Sequence, residues 1–251
     1  MKTKLLIDSD ILLYQASFGS EHTVKWDEDT YTLHSSFSEA QTIFREAVAS
    51  ILEATGVDDY LMCLTSDTNW RKDIYPAYKA NRANRRKPLV LKDLKDWVRK
   101  TEPNVHEGDL EADDLLGLFS TSPHHDSIVV SEDKDLLCIP GKHYNPGHPK
   151  DGVFDVSDIE ADIHHMIQTL AGDPTDGYSG CPGIGVVKAR RLIEDKPREE
   201  WWDIVVAAYD KAGLSEDVAL TMARLAWIMR EGDYDFVKHM IVSFWGPERL
   251  A

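Results

Sequence analysis

The sequence predicts an α/β protein in which a mainly parallel central sheet is flanked by helices on both faces and followed by a helical C-terminal region. Residues 4–7, 60–64 and 127–130 are short apolar runs of the kind that form buried strands. Helical patterns over 38–54, 89–100 and 112–120 alternate with those runs. Such alternation calls for crossover connections and a sheet covered on both sides. After Asp158 the strand runs stop, and helical patterns occupy 158–171, 186–194, 199–212 and 215–231.

Within this frame, residues 22–34 read as a β-hairpin turning at 27–29. The stretch 141–152 holds Pro146, Gly147 and Pro149 and reads as a loop dividing an α/β part, residues 1–157, from a helical part, residues 158–251. Pro174, Pro182 and Gly177, Gly183 and Gly185 punctuate the junction between the first two late helices.

The chain has a net charge of −16, which argues against a general polyanion binder. Its distribution argues otherwise. Between Arg71 and Lys87 stand seven basic residues (Arg71, Lys72, Lys79, Arg82, Arg85, Arg86, Lys87) against Asp73 alone, leaving about −22 for the remainder. A chain so polarised grips a phosphate backbone locally while its acids serve another purpose. Three scattered cysteines (Cys63, Cys138, Cys181) form neither a disulfide framework nor a thiolate zinc site. The start MKTKLLIDSD is no signal peptide and no apolar run is long enough for a bilayer, so a cytoplasmic protein is expected.

Each strand run leads directly into acid: the first into Asp8, with Asp10 beyond; the second into Asp67; the third into Glu132, Asp133 and Asp135. In open parallel sheets the ligand crevice lies at the carboxyl ends of the strands. The stretch EADD adds Glu111, Asp113 and Asp114 at a helix start. Alone, those acids do no more than favour the helix dipole, by a few tenths of a kcal/mol each (~0.3). Together they are a problem of charge. Two carboxylates ~4 Å apart repel by roughly 4 kcal/mol at an effective dielectric near ~20, and a rim of six or more needs protons or cations to hold it. Magnesium or manganese, hard ions with oxygen ligands, meet that need. A pair of them ~4 Å apart clamps the attacking and leaving oxygens of a phosphodiester.

The segment 172–185, GDPTDGYSGCPGIG, joins two helical patterns. Asp173 and Asp176 are spaced to point the same way in a tight turn, and Gly183 and Gly185 can present bare backbone N–H groups to phosphate. Lys188, Arg190 and Arg191 follow on the next helix.

At these residues the sequence resembles the flap-endonuclease and 5′→3′ exonuclease superfamily, which includes phage exonucleases and the 5′-nuclease domain of bacterial DNA polymerase I. The motifs stand in that superfamily's order: LLIDSD, Asp67, the basic segment, EADD, SEDKDLL and the glycine-rich stretch. The resemblance implies that Asp8, Asp67, Glu111 and Asp113 hold a first catalytic Mg²⁺, directly or through water. It implies that Asp114, Asp133, Asp135, Asp173 and Asp176 serve a second, with Mn²⁺ able to substitute; Asp10 and Glu132 match no assigned position. The glycine-rich stretch resembles a helix–three-turn–helix element that binds duplex DNA and, in some members, a monovalent cation such as K⁺.

Residues 70–88 resemble the helical arch through which the 5′ strand passes, with Pro76 at a first helical position. Tyr78, Lys79, Arg82 and Arg86 are then expected along one helical face. The resemblance implies that Lys79 and Arg82 hold the scissile phosphate and that Tyr75 or Tyr78 stacks on a base, with Arg71, Lys72, Arg86 and Lys188 as further DNA contacts. It also implies a 5′→3′ exonuclease or 5′-flap endonuclease acting on DNA in phage replication or recombination, with RNA in RNA–DNA hybrids as a secondary substrate. The chain ends soon after the helical region, which favours a stand-alone nuclease. Two other readings stand beside this one. A PIN-like acid-cluster ribonuclease shares the strand-end acids but needs neither arch nor glycine-rich element, and a silent DNA-binding protein retains the scaffold without chemistry.

Overall fold

The computed structural model describes residues 2–250. In chain order the first elements are strand β1 (Lys4–Asp8), helix α1 (Ser9–Gly19), strands β2 (Glu21–Lys25) and β3 (Tyr31–Ser35), helix α2 (Phe37–Thr55) and strand β4 (Tyr60–Cys63). They are followed by α3 (Arg71–Ile74), α4 (Leu91–Thr101), β5 (Asn104–Val105), α5 (Ala112–Ser120), β6 (Ser127–Val130), β7 (Gly141–Tyr144) and β8 (Val153–Val156). The C-terminal part holds α6 (Asp158–Ala171), α7 (Val186–Ile193), α8 (Trp201–Lys211), α9 (Glu216–Ala226) and the short strands β9 (Tyr234–Asp235) and β10 (Met240–Ile241).

The six-stranded sheet has the order β5-β4-β1-β6-β7-β8. Pairing is parallel from β5 through β7, and β8 closes the edge antiparallel to β7. Register is fixed by the period-two alternation of apolar side chains. Leu5, Ile7, Met62, Ile128 and Val130 enter a core beneath α1, α2 and α4, whereas Leu6, Cys63 and Val129 enter one beneath α5. A third core lies among α6 to α9, around Trp201, Tyr209 and Trp245, and it takes in Tyr78 from the basic segment. The result for function is positional: β1, β4 and β6 end side by side, so the residues after them share one rim.

Several expectations are corrected here. The stretch 141–152 contains β7, an added strand of the sheet, and β9–β10 is a small second pairing beyond Asp158. The last long helix ends at Ala226, short of residue 231, because Arg71 takes the carbonyls of Leu225 and Trp227, and the Trp227 indole donates to Asp233 at 2.9 Å. Residues 75–90 do not form a helix. Lys79 adopts a left-handed φ of 56°, and only Ala80–Arg82 makes a 3₁₀ turn. Tyr78, Lys79, Arg82 and Arg86 therefore do not share a helical face. The hairpin expected at 22–34 is present as β2–β3 and pairs with no other strand.

Between α6 and α7 the chain makes a tight passage that only glycine permits. Gly172 (φ +70°) and Gly180 (φ +61°) meet back to back, and a Cβ on Gly180 would lie 2.3 Å from the Gly172 nitrogen. Gly183, also left-handed, faces open space. We expect Gly180→Ala to cost about 3 kcal/mol or more, since strain and backbone clash act together, and Gly183→Ala about 1 kcal/mol. Thermal melting of the two variants checks the difference.

Candidate metal centre and nucleic-acid face

Asp8 is the last residue of β1 and the N-cap of α1, where its carboxylate accepts the Asp10 N–H at 3.2 Å and the Ser131 hydroxyl at 2.8 Å. It is 5% exposed. Burial, followed by the charges of Asp10 and Asp133, pushes its carboxyl up to about 7 despite the Ser131 hydrogen bond. Asp113, in the first turn of α5, is held well above the ordinary carboxyl range by burial and by Asp8, Glu111 and Asp133, against the opposing charge of Lys79. Asp8, Glu111, Asp113 and Asp133 thus occupy one electrostatic neighbourhood at the rim. Asp67 lies on the exposed loop after β4.

A second group begins at Asp133, which caps the 3₁₀ turn Lys134–Cys138 by accepting the Asp135 N–H at 2.9 Å. Burial, then Asp133 and a hydrogen bond with Asp173, raises Asp135 to about 6. Asp173 is held below its ordinary range: burial opposes its charge, but the Asp135 hydrogen bond and the N–H groups of Thr175 and Asp176 prevail. Asp135 and Asp173 therefore lie close enough to shift one another in opposite directions. Asp173 and Asp176 do not point the same way, since Asp173 caps its own turn while Asp176 accepts from the Tyr78 hydroxyl at 2.7 Å and from Arg82.

The basic segment lies against these acids. Lys79 pairs with Glu111, and its ammonium is 3.6 Å from Asp176. Burial opposes its charge, yet Glu111, Asp176 and Asp113 outweigh that and hold it protonated above the usual lysine range. Burial likewise opposes ionisation of Glu111, but Lys79 and Arg71 bring its carboxyl down to about 2. Among the described residues no three acids form a ready-made cage for one ion. What the rim does present is an all-oxygen donor set, two of whose members, Asp8 and Asp113, have carboxyls raised by burial and by neighbouring acids. That donor chemistry fits hard divalent ions.

Several expected roles are corrected. Arg71 is 2% exposed and faces no solvent. Its guanidinium makes a bidentate pair with Asp114 (2.7 and 2.8 Å) and reaches Glu111 at 3.0 Å. Asp114 also accepts the Trp70 indole N–H at 3.0 Å and the Met229 N–H at 3.3 Å. Its oxygens are thereby committed to fastening the basic segment and the C-terminal region to α5. Removing one partner of such a buried pair costs about 3–5 kcal/mol. Tyr78, 3% exposed, donates to Glu111 and Asp176 and is not free to stack on a base. Tyr75 packs against the C-terminal core, and Arg86 forms a bidentate pair with Glu21 at 2.7 Å. Lys72 is exposed, as are Gly183, Gly185 and Lys188, whose ammonium donates to the Gly183 carbonyl at 3.2 Å.

A model of the family described as "5′-3′ exonuclease, N-terminal resolvase-like domain" matches residues 3–163. The chain belongs to the 5′-3′ exonuclease family. It is 26% identical to the exonuclease of Escherichia phage T7 over 97% of this chain and 93% of that protein, and 26% identical to the exodeoxyribonuclease of Enterobacteria phage T3 over 97% and 92%. In fold it is similar to the phage T5 D15 protein co-crystallised with metal ions, with a TM-score of 0.62 at 14% identity over 90% of this chain and 89% of that one.

For this exonuclease-family chain, the sequence reading passed over Ser131, which orients Asp8, and named Asp10, which raises it, without giving it a role. Both were accessible by position, one directly after the third strand and the other two residues beyond the first. Because Asp8 binds its proton more tightly folded (about 7) than its ordinary 3.8, its charge costs stability as pH rises from about 4 through about 7. Divalent ions offset that cost. We expect Mn²⁺ to raise the melting temperature much more at about pH 7.5 than at about pH 5; an equal rise at both contradicts the assignment of Asp8.

Proposed function

We propose that the protein is a divalent-metal-dependent 5′→3′ exonuclease and 5′-flap endonuclease that hydrolyses DNA phosphodiester bonds, leaving 5′-phosphate and 3′-hydroxyl ends. The observation that carries the reading is the juxtaposition of Asp8, Glu111, Asp113 and Asp133 on one rim with Lys79 and Arg82 against them. Supporting it are relatives and fold neighbours: an exonuclease of phage T7, flap endonuclease Xni of Pseudoalteromonas translucida, and a T5 flap endonuclease complexed with DNA and metal ions.

Asp8, Glu111 and Asp113, with Asp67 at the exposed margin, would hold the first ion; Asp133, Asp135 and Asp173 would hold the second. We leave out Asp114, spent on Arg71, and give Asp176 the role of orienting Tyr78 and Arg82. Mg²⁺ is the natural ion, with Mn²⁺ as substitute. When bound, the ions lower the pKa of water and stabilise charge on the attacking and leaving oxygens. Lys79 and Arg82, exchanging carboxylate partners for phosphoryl oxygens, donate hydrogen bonds to the charge that develops there. Duplex DNA is held by the backbone N–H groups near Gly183 and Gly185 and by Lys188, in a helix–three-turn–helix arrangement of α6 and α7 that can also take K⁺. The arrangement suits a DNA 5′ strand, with RNA in a hybrid as a second substrate, in a phage-type replication or recombination setting.

Product mapping on a 5′-labelled flapped duplex tests this. Short 5′ products that need Mg²⁺ or Mn²⁺ and vanish with chelator are expected; preference for single-stranded RNA would favour the acid-cluster ribonuclease. Asp113→Asn and Asp133→Ala should abolish cleavage while flap binding in Ca²⁺ persists. Lys79→Ala should lower turnover by about 10²–10³-fold, and a wild-type rate would remove Lys79 from the chemistry.

A further inference from the structure

α4 crosses the sheet face with Leu94 and Val98 buried in the core it shares with α1 and α2. Its neighbour Lys95 reaches the loop after β4. The half-buried Lys95 ammonium donates to the Thr65 carbonyl at 2.5 Å, on the loop that carries Asp67. Thr65 is a junction. Its hydroxyl accepts the Ala112 N–H at 2.9 Å, at the first turn of α5, between Glu111 and Asp113. The next residue repeats the link: the Ser66 N–H donates to the Leu110 carbonyl at 3.0 Å and its hydroxyl to the Glu107 carbonyl at 3.2 Å. A cationic side chain from a third element thus pins the splint between two acid-bearing ones.

We propose that Lys95 is a positioning residue for the metal centre, setting the loop of Asp67 against the helix start that carries Glu111 and Asp113. The inference rests on the metal-dependent reading above. An ammonium is suited to the task twice over. It holds a carbonyl with a charge-assisted hydrogen bond, and it faces acid: burial, the largest effect, together with Arg99 and Lys87 holds Lys95 below the ordinary lysine range, while Asp10 and Asp67 favour its charge. Groups that orient ligands from behind typically change metal affinity by about 10–100-fold when removed.

The test uses the whole chain with Mn²⁺ alone, its free concentration followed by electron paramagnetic resonance well below the melting temperature. Lys95→Met is expected to weaken Mn²⁺ binding about tenfold and to speed hydrogen exchange at the Ala112 amide in the ion-free protein. Lys95→Arg, which keeps a cationic donor, should restore most of both. Thr65→Val cuts the same splint, so adding it to Lys95→Met should weaken binding little further. Wild-type Mn²⁺ affinity in Lys95→Met, or fully additive losses in the double variant, would overturn the proposal even if the wild-type protein cleaves flaps as expected. A wild-type protein that binds no Mn²⁺ would instead remove the metal reading, and this role with it.

Discussion

Everything at the functional end of this protein follows from like charge held at one edge of a sheet. A parallel sheet brings the ends of β1, β4 and β6 together whether or not their side chains tolerate one another. Here those ends and the start of α5 carry carboxylates, and the fold's own geometry makes them neighbours. Water cannot screen them well, since Asp8 and Glu111 are nearly inaccessible. The protein answers the repulsion in two ways: the carboxyls of Asp8, Asp113 and Asp135 are raised, which favours their neutral forms, and basic side chains are drawn in from the segment after β4. Each is a partial solution that a doubly charged ion improves on.

The same logic separates the buried cations into two kinds. Arg71 has two carboxylates and two backbone carbonyls, and its fork is saturated. Such a site is architectural, and its cost of disruption is that of stranding charge in the interior. Lys79 and Arg82 hold acids by contacts that a better cation can displace, and their side chains are 19% and 39% exposed, against 3% for Arg71. Exchange of partners is open to the first pair and closed to Arg71. The basic segment therefore does both jobs: it is anchored at one end and exchangeable in the middle.

Much of this was legible in the sequence, and the limits are instructive. Strands β1, β4 and β6 and helices α5 and α6 were readable because burial on both faces, or on one stripe, leaves an unmistakable apolar period. The acids after the strands were readable because a parallel sheet has one functional edge. What the period cannot report is a side chain's partner. Arg71 and Tyr78 looked like DNA contacts because both belong to a basic stretch, yet each is drawn inward by acids distant in sequence. The irregular path of residues 75–90 was hidden for the same reason: Lys79 takes a left-handed conformation, and its N–H is held by the Asp176 carbonyl, a contact no local pattern encodes. α1 escaped notice because its outer face carries large apolar residues, Tyr14 and Phe18, which blur the buried stripe of Leu12, Leu13 and Ala16.

The central claim is that protons and divalent ions compete for the same crowded carboxylates. Calorimetric titration of the ion-free protein with Mn²⁺ near pH 6.5, repeated in buffers of different ionisation enthalpy, counts the protons displaced. The account predicts release of at least about one proton per chain as the site fills. Saturable binding with no proton released would contradict it.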